Sequence, residues 1–373
     1  MHVYKSLVDG RPLPSVTYII DKTKPLAEII KFAKIKAKKI EEEGETEEGW
    51  NQRCIDGRNR GTLIHAFAEH YLVYASKKAQ AIKDGCCFND YVDKELDNIL
   101  NFWTNKTELG IGDYIKQLHK FFDDLTLQTN GDWEVLGNEE EVQLNLDNKD
   151  NPSGEQSFIG YGGRADLRLR IGNNYSLIDF KTTKPYKNWD GIEVHQWSDW
   201  ALWRKPKQIP VYQDKVLSNG DIKQVRLRDK NGRYVFEKEV RPDKPDWSWV
   251  GSYPYNYYLE QCLYILAYRD MQSKGFIDNN LKINSSSLLV IFPKNYQLVQ
   301  LPTSVWEGCK LEAMERVSLF YKEHYQKWLL EVTFDMPDGQ PIRDKDREPK
   351  GLLPKQVVIP TEAIDDDMDS LPF

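Results

Sequence analysis

Asp166, Asp179 and Lys181 lie close together in the stretch GYGGRADLRLRIGNNYSLIDFKTTK, which runs from Gly160 to Lys184. A hard divalent cation needs oxygen ligands converging from rigid elements. Asp166 and Asp179 offer two carboxylates, and the backbone carbonyl of Phe180 offers a third oxygen. Lys181 shares a strand face with Asp179 and can orient or deprotonate a water, or stabilise charge on a phosphate. The bland alternative is a solvated hairpin face, and spacing alone does not exclude it. Against it, Asp179 interrupts the otherwise apolar run SLIDF, which reads as buried.

A second group precedes it in RGTLIHAFAEHYL. His65 and Glu69 are four residues apart and share a helix face. His65 can ligate a metal through a neutral imidazole, and Glu69 can hold a water or position a neighbour. A third group is YLEQCLYILAY, in which Glu260, Gln261, Tyr264 and Tyr268 occupy one broad helical face. That face suits either contact with a substrate or plain aromatic packing.

The elements that must position these groups follow from periodicity. LPSVTYIIDKTKP reads as a short extended start and a turn. LAEIIKFAKIKAKKIEEEGE and GTLIHAFAEHYLVYASKKA carry apolar residues at helical spacing, the second capped by Thr62. A helical stretch follows from Asp90 to Gln128, then a strand in WEVLGNEEEVQLNL. RADLRLRI alternates, with Ala165, Leu167, Leu169 and Ile171 on one face and Arg164, Asp166, Arg168 and Arg170 on the other. A two- or three-residue loop at Gly172–Asn174 then sets Asp166 opposite Phe180 or Lys181. DIKQVRLRDKNGRYVFEKEV reads as a hairpin around Asn231-Gly232. YYLEQCLYILAYRDMQS is a helix, SSSLLVIFP a buried strand, and SVWEGCKLEAMERVSLFYKEHYQKWLLE a long last helix.

Composition bounds the setting. The 373 residues are 40% hydrophobic and 12% aromatic, enough for a sizeable core. No apolar run reaches the roughly 18 residues of a membrane span, and the N-terminus has no secretory leader pattern. Five cysteines form no Cys-x-x-Cys pair, which points to reduced thiols and a cytoplasmic setting. The net charge of −7 is uneven. Residues 331–373 hold 11 acids and 5 bases, whereas 181–241 hold 14 bases and 8 acids. The basic stretch also carries Trp189, Trp197, Trp200 and Trp203. Arg226 and Arg228 suit phosphates there, and Trp197 suits a stacked base, although tryptophans also serve to pack an insertion onto its domain.

Taken in order, GTLIHAFAEHYL, GRADLRL, LIDFKTT and a helix with EQCLY resemble the RecB-like branch of the PD-(D/E)XK nucleases. The opening LPSVTYIIDKT and the DFKTT motif look most like the mitochondrial genome maintenance exonuclease and its phage and bacterial relatives. The resemblance covers residues 13–72, 134–184 and 255–295. It implies an α/β fold with a mixed central sheet flanked by helices, in a bacterial or phage-infected cell. The chain then reads as a nuclease domain over residues 1–330, interrupted by an insertion at 187–254 that has no counterpart in the family and carries a basic β-hairpin, and an acidic linker and tail at 331–373. It implies that His65, Asp166 and Asp179 bind the metal, Mg²⁺ or Mn²⁺, and that Lys181 is catalytic. The implied reaction is metal-dependent DNA hydrolysis, with single-stranded ends as the preferred substrate. Two departures stand out. The family motif Gln-x-x-x-Tyr would place Gln at 260, but Glu260 stands there. Relatives with an iron–sulfur cluster use three cysteines near the C-terminus, whereas this chain has Cys309 alone in that region, so no cluster is expected.

Three functional readings stay open: an exonuclease, a structure-specific endonuclease, and a DNA-end-binding protein on a nuclease fold with little catalysis. The end of the chain, TEAIDDDMDSLPF, resembles the acidic tip of single-stranded-DNA-binding proteins. Asp367 and Asp369 can steer onto a basic rim while Pro372 and Phe373 enter an apolar pocket of a protein that reads such tails. A solvated acidic end that shields the chain's own basic surface is the alternative.

Overall fold

The computed structural model describes residues 3–41, 44–85, 90–105, 108–148, 157–187, 191–197, 208–216, 222–238, 255–278, 283–301 and 303–335. The expected tail residues Asp367, Asp369, Pro372 and Phe373 lie outside them, as do Trp189, Trp200 and Trp203.

A short hairpin of β1 (Val3–Lys5) and β2 (Pro12–Pro14) opens the chain. The next segment is a helix rather than the expected extended start: α1 (Val16–Lys22) begins where the Ser15 hydroxyl accepts the amide of Tyr18 at 3.1 Å. After α2 (Leu26–Glu41) comes α3 (Glu47–Lys83), capped by Thr46. Thr62, expected as a cap, is internal to α3 and donates its hydroxyl to the carbonyl of Arg58. The helical stretch from Asp90 divides into α4 (Asp90–Thr104) and α5 (Ile111–Thr129). The break falls where Leu109 and Gly110 take positive φ.

Then come the long strands β3 (Trp133–Asn148) and β4 (Ser157–Ile171), followed by β5 (Asn174–Thr182). With β12 (Ser285–Ile291) and β13 (Tyr296–Gln300) they form a mixed five-stranded sheet in the order β13-β12-β5-β4-β3. Only the β5–β12 pair is parallel. The strand β12 is buried along almost its whole length, as a central parallel strand must be. On one face of the sheet α3, α4 and α5 pack around Phe67, Trp103, Phe122 and Trp133. On the other, α1, α6 (Tyr255–Ser273), α7 (Thr303–Glu323) and α8 (Tyr325–Asp335) pack around Tyr258, Leu263, Phe320 and Trp328. The sheet with helices on both faces is the expected α/β class. Trp328 and Val332 are buried, so the folded part runs past residue 330.

Between β5 and α6, the described parts of the insertion pair locally. β6 (Tyr186–Lys187) pairs with β7 (Glu193–Val194), β8 (Gln208–Pro210) with β11 (Phe236–Lys238), and β9 (Tyr212–Val216) with β10 (Ile222–Arg226). The Asn231-Gly232 turn is present, closed by Gly232 N donating to Asp229 O. Its flanks join by the single bridge Arg228↔Tyr234, with β9 and β8 serving as the strands' partners.

The sheet is not simply alternating. Leu169 and Leu167 of β4 bury on the α3 face, but Ala165 and Tyr161 bury on the α6 face. The strand therefore changes face at Asp166, where strict alternation would have kept Ala165 with Leu167. β3 changes with it, burying Trp133 on one side and Val142 and Leu144 on the other. Beyond the change two glycines allow close packing. A Cβ on Gly162 would stand 2.4 Å from the Tyr4 ring, and one on Gly163 2.4 Å from the Tyr264 ring. Gly163→Ala should therefore cost about 1–3 kcal/mol by overpacking against a buried ring. Urea denaturation of the variant checks this, and an unchanged midpoint would show that Tyr264 moves aside freely.

Candidate active site

The change of face creates the site. The β4–β5 ladder runs from Ile171↔Asn174 to Leu167↔Ile178 and stops there. The loop is two residues, so the register would set Asp166 against Asp179, not against Phe180 or Lys181. In place of a ladder bond, Asp166 Oδ2 accepts the amide of Phe180 at 2.7 Å. Beyond this point β4 continues with β3 and β5 continues with β12, leaving a fork. Asp166 stands at its base, and Asp179 and Lys181 project from β5 on the α6 side. Both carboxylates are nearly buried, at 8% and 4% exposure.

α3 delivers His65 to the same fork. Its Nδ1 lies 2.7 Å from Glu139 Oε1 and 3.5 Å from Asp166 Oδ1. Its ring meets that of Phe180 edge-on at 5.8 Å. Glu139 is the residue that sequence reasoning missed. It sits in β3 between the rungs Asn138↔Leu167 and Glu140↔Ala165, facing Asp166, with a φ of 52°. A non-glycine residue rarely holds that conformation, and strain of this kind clusters at functional sites. Here the twist turns the carboxylate toward His65 and Asp166. One atom each of His65, Glu139 and Asp166 lie within 4.8 Å of one another. The adjoining Glu140 fixes the twist, binding Arg168 Nη2 at 2.9 Å and accepting from the Tyr268 hydroxyl at 2.6 Å. The run NEEEV, which breaks the alternation of a strand, was the available signal.

Lys181 completes the arrangement. Its Nζ lies 2.7 Å from Asp179 Oδ2 and 3.9 Å from Glu260 Oε2, and 4.6 Å from the centre of the Tyr257 ring. Burial alone would pull the Lys181 ammonium down, but the charges of Asp179, Glu260 and Asp166 outweigh it and hold it above its ordinary range. Burial pushes the Asp179 carboxyl up to about 7 against the pull of Lys181, with Asp166 adding to the rise. Burial likewise raises Glu260 to about 7, opposed by Lys181 and helped by Asp179. Asp166 is raised by burial, which His65 and Lys181 offset in part. For His65 burial acts downward, yet Asp166 and the hydrogen bond to Glu139 prevail and hold it up at about 9.

Four carboxylates thus face one lysine and one histidine in a poorly solvated fork. Burial, with the neighbouring carboxylates adding to it, raises Asp179, Glu260 and Asp166 above the usual carboxylate range. A divalent cation would answer the excess of carboxylates, and the donors, carboxylate oxygens with one imidazole, suit Mg²⁺ or Mn²⁺. The residues present therefore fit the metal.

Other expected site residues lie elsewhere. Glu69 is exposed on α3 and is not among the ligand atoms that meet; Glu139 occupies that place. Gln261 is buried and accepts the Ser286 hydroxyl at 2.9 Å, so it braces α6 against β12 rather than facing a substrate. Tyr264 is buried against Gly163 beside the acids, raised well above its ordinary value by burial first and by Glu260, Asp179 and Asp166 next. Trp197 is 6% exposed within the α6-side core, with its amide donating to Gln297 Oε1, and is not placed to stack on a base. Arg226 and Arg228 are exposed, and both guanidinium groups lie near the Tyr234 ring, at 5.7 and 4.4 Å from its centre.

The family profile of the PD-(D/E)XK nuclease superfamily matches residues 39–261, more than half of the chain. The chain belongs to the PD-(D/E)XK nuclease superfamily. The match spans α3, the β3–β4–β5 fork and the first turns of α6, and so takes in His65, Glu139, Asp166, Asp179, Lys181 and Glu260. A search of curated proteins finds no match. Members of this superfamily are nucleases that use divalent metals, which agrees with the charge balance of the fork. Among the described residues no helix is long and apolar enough to cross a membrane.

Proposed function

We propose that this chain is a metal-dependent DNA exonuclease acting on single-stranded ends. The observation that carries the hydrolytic part is the fork itself, with its excess of carboxylates beside a charged, half-buried lysine. His65, Glu139, Asp166 and Asp179 would hold the cation, joined by the Phe180 carbonyl. The cation supplies Lewis acidity toward the phosphate and acidifies a water. Asp166 is oriented by the Phe180 amide, and Glu139 by its strained backbone and His65. Lys181 presents its ammonium where negative charge grows on the phosphate, in a fork that excludes most water and so strengthens that attraction.

The preference for single-stranded ends is supported by the likeness of LPSVTYIIDKT and DFKTT to the mitochondrial genome maintenance exonuclease and its relatives, and by the basic insertion. The runner-up is a structure-specific endonuclease. A labelled single strand in linear and circular forms separates them. Release of mononucleotides or short products from the linear form alone, in Mg²⁺ or Mn²⁺, is expected. Equal cleavage of the circle would make the chain an endonuclease, and no cleavage of either would leave an end-binding protein.

The insertion's role has its own check. Arg226 and Arg228 present two cations beside one aromatic ring, a surface suited to phosphates and a base. Replacing both with Ala should weaken binding to single-stranded DNA and lower the slope of log K against log salt by about 1.4, at about 0.7 per cation for single strands. An unchanged salt slope would take this hairpin off the DNA path.

A further inference from the structure

Lys181 has one close counter-charge, Asp179 at 2.7 Å, and a second carboxylate held back at 3.9 Å, that of Glu260. The second distance is too long for a hydrogen bond. Glu260 is nonetheless almost buried, its side chain 12% exposed, on the second turn of α6. Keeping an acid there is costly unless a cation comes to it. Tyr257, one turn earlier on the same helix, lays its ring beneath the same ammonium. α6 therefore offers Lys181 a carboxylate and an aromatic face, neither of which is its closest partner.

The arrangement has a use if Asp179 holds the cation, a premise that rests on the nuclease function proposed above. A carboxylate oxygen cannot serve an ammonium at 2.7 Å and a divalent ion equally well in a poorly solvated site, where the two cations repel strongly. Lys181 must then leave Asp179 or weaken the metal. We propose that Glu260 is the receiving counter-ion: a positioning residue that takes the Lys181 ammonium from Asp179 when Asp179 turns to the metal. The Tyr257 face guides the short movement, and the amine stays at the fork instead of swinging into solvent. An amide at position 260 could accept a hydrogen bond but could not balance the charge. That gives a reason for the glutamate where the family motif has glutamine.

The test is a cycle of variants of the full chain, read by Mn²⁺ binding in isothermal calorimetry. Glu260→Gln leaves Lys181 tied to Asp179, so Mn²⁺ affinity should fall about tenfold, within the range of coupling energies for contacting residues. With Lys181→Met there is no ammonium to relocate, and adding Glu260→Gln should change affinity less than about threefold. Glu260→Asp, which keeps the charge, should restore most of the loss and also serves if the amide variant folds poorly. In cleavage assays Glu260→Gln should lower kcat and leave KM for DNA nearly unchanged. Equal loss of affinity in both backgrounds would mean that Glu260 acts only through its field, and no loss in either would mean that it does not act on the metal; both overturn the proposal and leave the nuclease reading intact. If the parent chain binds no Mn²⁺, or Asp166→Asn binds it as tightly as the parent, the metal centre itself fails and this proposal goes with it.

Discussion

Lys181→Met is expected to abolish DNA cleavage, reducing kcat at least about 10²–10³-fold, the usual cost of losing one oriented charge in a protected site. Binding of uncleaved DNA should change much less, because one of many cations is lost. Asp166→Asn and Asp179→Asn should be as damaging, since each removes a proposed ligand; the first also takes one of the two carboxylates beside His65, and the second takes the nearest counter-charge of Lys181. Glu139→Gln is the informative companion. It should fall with the aspartates, because its carboxylate lies against both His65 and the ligand atoms of Asp166. Glu69→Gln, one turn along α3 and exposed, should stay within about twofold of the parent, as surface changes do. His65→Ala should be milder and should recover in part at high Mn²⁺, a looser requirement for a ligand than for the lysine. Single-turnover cleavage with each variant settles the matter. A parental rate for Lys181→Met, or equal losses for Glu69→Gln and Glu139→Gln, would show that the residues are wrongly assigned.

The contrast between Glu69 and Glu139 also shows what was legible in the sequence. Asp166, Asp179, Lys181 and His65 were legible because type and spacing coincide: an acid in an apolar strand, x-Lys after it, and a histidine on an amphipathic helix. The helices and the buried strand β12 followed from periodicity. Glu139 was hidden because its role depends on one positive φ, and a sequence pattern does not carry a dihedral angle. The change of face at Asp166 was hidden for a similar reason. RADLRLRI alternates well, yet tertiary packing places Ala165 against α6 and Leu167 against α3, and the fork exists because the alternation breaks there. Helix phase was harder to read than helix existence. Gln261 and Glu260 are neighbours, and only the packing of α6 on β12 shows that the glutamine turns inward while the glutamate meets Lys181. Trp197 illustrates the opposite error: a basic, aromatic stretch suggests stacking on bases, but the side chain is buried in the core.

Adding Mg²⁺ or Mn²⁺ should raise the melting temperature, and the rise should grow with pH between about 5 and 9. The sign follows from three groups. Asp179 and Glu260 ionise near 4 in the unfolded chain and at about 7 in the folded one. Over that interval the folded state binds more protons, so its stability falls as pH rises from about 4 through about 7. His65 titrates near 6.5 unfolded and at about 9 folded. Its contribution is fully present below about 6.5 and is lost as pH climbs through about 9. All three act in one direction, and the metal-free protein should lose stability across the whole range. Carboxylates held low by exposed partners act elsewhere. Asp132, lowered by hydrogen bonds from Lys83 and Arg170, and Asp124, lowered by Lys120 and Tyr296, lose their contributions only as pH falls below about 4. A bound cation takes the place of the protons that Asp179 and its neighbours otherwise retain, so it competes with them least at high pH. A metal at 100 times its Kd adds about 2.7 kcal/mol, or roughly 5 °C for a chain of this size. Thermal melts with EDTA and with excess Mg²⁺ at pH 5, 7 and 9 read the gap directly. In EDTA, Glu260→Gln should flatten the decline between pH 5 and 7. A gap that stays constant with pH, or metal-free protein that becomes more stable as pH rises, would mean that Asp179, Glu260 and His65 are not the groups whose protons the cation displaces.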